Sequence, residues 1–166
     1  MTTLAVLRAE IDTVLADWAW HIDHAEYDDL VELFTEDALF ISGAAELRGR
    51  AAIKNRYTER TVVRSTRHTY SGLRLSPADG DFLPGPGSGT ATDTARPALV
   101  LARSTWVNYA VNAAAPVSTG PIDNVGVYLV ADFYDTFTWC PDSRWRISER
   151  RIIPVFRDPV RAPVTA

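Results

Sequence analysis

The sequence predicts an α+β domain in which three N-terminal helices pack on a strongly curved antiparallel sheet, forming a cone with an internal pocket. Two observations carry this expectation. Apolar residues early in the chain recur at helical steps, whereas from about residue 67 onward the segments take on the β-branched and aromatic character of strands. Helices first and strands second is also the order that places helices on one side of an antiparallel sheet. With 166 residues the chain is expected to be one domain, long enough to bury a sizeable core.

The first helix is expected over residues 4–25, where Leu4, Leu7, Ile11, Val14, Leu15, Trp18 and Ile22 follow at steps of three and four. Asp28 and Asp29 then open a short second helix over 29–34, carrying Leu30, Val31, Leu33 and Phe34. Thr35-Glu36-Asp37 breaks it, Ala38 to Ile41 reads as a short strand, and Ser42-Gly43 as a turn. Gly49-Arg50 leads into a third helix over 50–62, with Ile53, Tyr57 and Thr61 on one side. Residues 67–75, 98–111, 124–139 and 144–156 read as strands, the last pair joined by a tight connection at Cys140-Pro141-Asp142-Ser143. Residues 76–97 are rich in Gly, Pro, Ser and Asp and too long for an ordinary hairpin loop; a disordered insert is favoured over a functional lid. The last two strands are long for a globular protein, which favours a bent sheet able to wrap a cavity.

Composition excludes several classes of function. A net charge of -4 argues against a general nucleic-acid binder, since phosphate binding shows as a basic excess. No apolar run approaches the length needed to cross a bilayer, and charged residues interrupt the first ten positions, unlike a signal peptide. The expectation is therefore a cytoplasmic protein with no membrane partner. Cys140 is alone, so neither an intramolecular disulfide nor a cysteine metal cluster is expected. His21 and His24 stand three apart on one helix but lack further ligands; they read as surface histidines, and no metal or other cofactor is expected. The arginines within 144–151, interspersed with acids, read as a solvated strand face. Asp132 and Asp135 point to opposite faces of a strand and form no acid pair.

Several segments, taken in order, resemble a known family. Asp23-His24-Ala25-Glu26-Tyr27-Asp28-Asp29-Leu30 and its continuation through Phe34 to Asp37-Ala38 is similar to the signature of SnoaL-like proteins of the NTF2-like superfamily. Gly49-Arg50-Ala51-Ala52-Ile53 resembles their entry to the third helix, and Ser65-Thr66-Arg67-His68 the opening of their first long strand. Trp145-Arg146-Ile147-Ser148-Glu149-Arg150 resembles their final strand, so the likeness spans about residues 15–153. Relatives sharing these positions include scytalone dehydratase-like enzymes, bile-acid dehydratases, dehydrochlorinases, polyketide cyclases and the small subunits of ring-hydroxylating dioxygenases.

The resemblance to the lyase members implies a site made of Asp23, His68 and Arg150. Asp23 follows Ile22 on the flank of an apolar helix stripe, where a buried carboxylate needs a partner. His68 would be the general base, Asp23 the group that fixes its tautomer, and Arg150 an electrostatic aid at developing negative charge. Such a site suits elimination, isomerisation or cyclisation without a cofactor. Lyase members often carry Tyr or Lys five residues before the Asp; here Trp18 stands there, a donor but neither acid nor base. Scytalone dehydratase-like enzymes add a second histidine on the next strand; here Ser104 or Asn108 is the nearest polar substitute.

Strand alternation places Ala102, Ser104 and Trp106 on one face, and Val127, Leu129, Ala131 and Phe133 on another. The expected substrate-binding residues are Trp18, Ile22, Tyr57, Ser104, Trp106, Leu129 and Phe133, enclosing a hydrophobic cyclic or polyketide-like small molecule. The alternative readings are a non-catalytic small subunit of a ring-hydroxylating dioxygenase, or a binding protein without chemistry. A homodimer or homotrimer is expected.

Overall fold

A computed structural model of the chain describes residues 3–60, 63–77, 96–113, 121–122 and 126–159. Helix α1 (Leu4–Asp23) is capped by Thr3, whose hydroxyl accepts the Val6 N–H at 3.2 Å. Its buried stripe is Leu7, Ile11, Val14, Leu15, Trp18 and Ile22, the periodic set expected from the sequence. The helix stops two residues short of the expected end, and Ala25 takes a left-handed turn (φ 58°) into α2 (Tyr27–Glu32).

α2 begins and ends earlier than expected because Phe34 already belongs to strand β1 (Phe34–Ser42). Thr35-Glu36-Asp37, expected as a break, lies inside β1 at an irregularity in its pairing between Phe34 and Leu39. A short strand β2 (Ala45–Arg48), not foreseen from the sequence, pairs back on β1 around Gly43. Helix α3 (Arg50–Thr58) is shorter than the expected 50–62, and Thr61 lies outside the described residues.

Four long strands follow: β3 (Val63–Pro77), β4 (Leu99–Ala113), β5 (Leu129–Trp139) and β6 (Trp145–Arg157). Ser76 and Pro77 are thus strand rather than loop, and 78–95 lie outside the described residues. The turn at 140–143 is closed by Cys140 N–H donating to the Arg144 carbonyl at 2.9 Å.

The six strands form one open sheet in the order β2-β1-β6-β5-β4-β3. It is mixed, not wholly antiparallel as expected, because β1 runs parallel to β6. Parallel neighbours need a long crossover, and here everything from β2 to β5 intervenes. Strand periodicity says nothing about which edge an N-terminal hairpin will join. Pairing irregularities at Ser71/Arg74, Val130/Ala131 and Thr136/Phe137 interrupt the long strands, and such bulges bend the strand that carries them.

β5 begins at Leu129 rather than 124, which corrects the expected face of Val127: it is 41% exposed, and Tyr128 is buried instead. The core lies between α1 and the sheet, where Leu7, Ile11, Leu15 and Trp18 join Trp106, Phe133, Phe137 and Ile147 in one buried cluster. Among the described residues, no helix is long and apolar enough to cross a membrane.

Candidate functional site

The last residue of α1 meets the start of β3. Asp23 Oδ1 accepts the His68 Nδ1–H at 2.6 Å and the Thr66 hydroxyl at 2.7 Å, while Oδ2 accepts the His68 backbone N–H at 2.7 Å. Thr66 and His68 are two apart on one strand and so share a face, which lets both reach one carboxylate. The two side chains are buried, 6% exposed for Asp23 and 9% for His68. Burial by itself would raise the Asp23 carboxyl. The hydrogen bond and charge of His68, with the bonds from Thr66 and the His68 amide, outweigh it and hold the group below the usual carboxylate range. An ionised Asp23 keeps the His68 proton on Nδ1 and leaves the lone pair on Nε2. Chemically, the pair can take a proton at Nε2 and stabilise the imidazolium that results.

His68 stands in the wall of a cavity of about 160 Å³. Trp18, Ile22, Tyr57, Trp106, Leu129 and Phe133 line it, together with Asn108 and Tyr128. The aromatic side chains brace one another. Trp106 stacks on Phe133 at 4.8 Å and on Tyr70 at 4.6 Å, and Trp18 meets Trp106, Phe133 and His68 edge-on at 5.3, 5.8 and 5.4 Å. Burial pushes the Tyr57 hydroxyl up. Two polar atoms of the wall residues, Trp18 Nε1 and Asn108 Oδ1, are buried and have no hydrogen-bond partner among the described residues.

Three of the expected site residues stand apart from this wall. Asp23 lies behind His68. Ser104 accepts the Trp106 Nε1–H at 2.8 Å, so it holds the indole in place rather than lining the cavity. Arg150 is fully buried, its Nε and Nη2 donating to the two carboxylate oxygens of Asp135 at 2.7 and 2.9 Å. Its guanidinium carbon lies 4.4 Å from the Trp18 ring centre and 5.0 Å from that of Phe133, outside the wall those rings form.

The solvated face expected for the arginines of 144–151 does not hold at Arg150, and the strand register explains the difference. Thr136 pairs with Glu149 but Phe137 with Ile147, so Ser148 is skipped and the alternation of β6 shifts, turning Arg150 inward. Glu149 pairs with the half-exposed Arg151, whereas Arg146, only 13% exposed, pairs with Asp142. Burial raises the Asp135 carboxyl, opposed by the charge and hydrogen bonds of Arg150.

Sequence reasoning missed the cations of the cavity. Arg56, Arg60 and Arg64 all line it, and no carboxylate is among the lining residues. Their guanidinium carbons lie 6.0 Å from the Phe40 ring centre, 4.8 Å from Tyr57 and 4.9 Å from Tyr128. The signal was present: three arginines four apart from the end of α3 into β3. Elsewhere, His24 stacks on Trp20 and its Nδ1 donates to the Trp20 carbonyl at 2.7 Å. His21, Glu26 and Asp29 bring ligand atoms within 4.8 Å of one another and are the described residues placed to hold a metal ion. Two of the three are exposed acids, which commonly cluster without one.

The fold has many solved relatives. One is a protein from Novosphingobium aromaticivorans solved as a candidate scytalone dehydratase: 20% identical, TM-score 0.70, covering 98% of this chain and 91% of that one. ActVI-ORFA from Streptomyces coelicolor is 17% identical with TM-score 0.67, over 90% of this chain and 97% of its own. An NTF2-like protein with a cystatin-like fold, also from N. aromaticivorans, is 19% identical with TM-score 0.63, over 93% and 85%. At these identities the likeness shows the fold and no more. No curated protein matches the chain. The SnoaL-like domain profile, however, matches residues 5–151, which is most of the sequence, and on that match the chain belongs to the SnoaL-like domain family.

Proposed function

We propose that the protein is a cofactor-independent lyase or isomerase acting on a hydrophobic cyclic small molecule, with His68 as general base. The observation that supports this most directly is the Asp23–His68 contact of 2.6 Å at the edge of an aromatic cavity. The buried carboxylate accepts three hydrogen bonds, two of them from His68, and it orients the imidazole beside open space. In the reaction class we infer, Nε2 takes a proton from a carbon next to a carbonyl or beside a leaving group. The C–H electron pair then becomes an enolate or a C=C bond, and in the second case the leaving group departs with its own bonding pair. Asp23 stabilises the imidazolium, and the aromatic wall seats the ring. Arg150 serves in this reading as a buried support for Trp18 and Phe133 rather than as a catalytic residue. The SnoaL-like membership and the solved dehydratase-type neighbour agree with this class of activity.

The test needs no knowledge of the natural substrate. Aryl ketones with an acidic C–H are incubated in deuterated buffer, and exchange is followed by NMR. Wild-type protein should accelerate exchange, and His68→Gln should lose about 10²-fold or more of it. If wild type catalyses no exchange across the panel, or if His68→Gln is as active as wild type, the proposal fails.

A further inference from the structure

The cavity has two chemistries, and only one is used by the reading above. Its inner wall is aromatic, while Arg56, Arg60 and Arg64 are the charged side chains beside it, with His68 at one edge. Among the described residues none of the three arginines is in an ion pair, although the chain as a whole carries net charge -4 and its other arginines pair widely with acids. Each instead rests on an aromatic ring, which orients a guanidinium but leaves its donors unused. Arg56 is exposed, and Arg60 and Arg64 are half-buried, so they form a rim between solvent and the pocket. Three like charges gathered with no counter-ion among the described residues repel one another. Burial, opposed by Tyr57 and Tyr27 and aided by the neighbouring Arg64 and Arg56, lowers the Arg60 guanidinium below its ordinary value, and an anion at the rim would offset the repulsion among the three.

We infer that the ligand is a flat ring compound carrying an anionic group, its ring in the aromatic pocket and its carboxylate or phosphate held by Arg56, Arg60 and Arg64. The inference rests on the same site as the function proposed above, and names the ligand class. The size fits: a dry cavity of about 150 Å³ accepts one benzene ring, close to the 160 Å³ here. The remainder of a larger molecule must extend toward the rim, where the arginines are. A planar guanidinium donates two parallel hydrogen bonds to a carboxylate or phosphate, which supplies orientation as well as affinity.

The experiment compares three probes of one shape on wild-type protein: 1-naphthoate, 1-naphthyl phosphate and the neutral 1-naphthamide, by calorimetry at low and high salt. At least one anion should bind about tenfold or more tightly than the amide, with the advantage shrinking as salt rises. Whichever anion binds better identifies the group. In Arg60→Gln the advantage should fall to near parity. The double variant Arg56→Gln/Arg64→Gln repeats the test should Arg60→Gln fail to fold. Equal binding of anion and amide, an advantage that survives in both variants, or no binding of any probe overturns the inference. Because this is a binding measurement, it separates from the reaction. A charge preference alongside an unchanged His68→Gln rate would sink the lyase reading alone, and the converse would sink only the anion rim.

Discussion

At the scale of single residues, the Asp23 carboxylate ties α1 to β3 and fixes the orientation of the His68 ring. Its acidity carries a consequence for stability. A carboxyl held below its unfolded value stabilises the fold above that value, and the contribution disappears as pH falls through the folded one. The free-energy advantage of wild type over Asp23→Asn should therefore be full near pH 7. It should begin to shrink as pH approaches the ordinary carboxylate value of about 3.9 and vanish once the group is protonated. Urea titrations of both proteins from pH 7 to pH 3 test this; a gap that stays constant over the range would mean that the His68 and Thr66 bonds do not favour the ionised form. Arg150 behaves differently. Its bidentate pair with Asp135 is wholly buried, a geometry in which the pair's worth is set by desolvation as much as by attraction. In the site proposed above, it acts as a support against which Trp18 and Phe133 pack.

At the scale of elements, α3 is aimed at the cavity by its first residues. Gly49 has φ +83°, its N–H donates to the Ala38 carbonyl at 2.8 Å, and a Cβ there would come within 3.2 Å of the Glu36 carbonyl oxygen. Arg50 then donates through Nε and Nη2 to the Phe34 carbonyl at 2.9 and 2.7 Å, pinning the helix start to β1. Gly49→Ala should cost about 1–3 kcal/mol. Gly43→Ala, left-handed but with nothing within 4 Å of the added Cβ, should cost no more than about 1–2 kcal/mol. Urea unfolding of the two side by side checks the ordering, and equal losses would show that the contact with Glu36 is relieved freely.

The same elements show how far the sequence could be read. The stripe from Leu7 to Ile22 fixed α1, and the β-branched runs fixed four strands to within a few residues, because burial imposes those periods directly. β2 escaped, being four residues with an intermediate and exposed alternation that no core enforces. The parallel β1–β6 pairing escaped because it joins residues more than a hundred positions apart, and local pattern does not encode it.

At the scale of the whole molecule, the site was legible where one element carried its own signal and illegible where register decided. Asp23 and His68 stand 45 residues apart and were paired through the resemblance, not through spacing. Arg150 could not be oriented without the skipped Ser148, nor Val127 without the late start of β5. Packing tests the proposal that the aromatic cluster encloses a ligand site and does not fill a solid core. Ala131 is buried in the cavity wall, opposite Trp106 on β4 and Pro154 on β6. In a close-packed core, Ala131→Val would overfill the space and cost about 1–3 kcal/mol. If the space is open, the two added methyl groups enter it and bury apolar surface worth about 0.8 kcal/mol per carbon, less the cost of fixing the side chain. The expected outcome is a stability unchanged or raised by up to about 1 kcal/mol, together with at least a tenfold loss of 1-naphthoate affinity. A natural protein that can be stabilised by filling its interior is giving up stability to keep that space, as functional sites commonly do. Destabilisation with binding intact would instead place the ligand elsewhere and return these aromatics to the core.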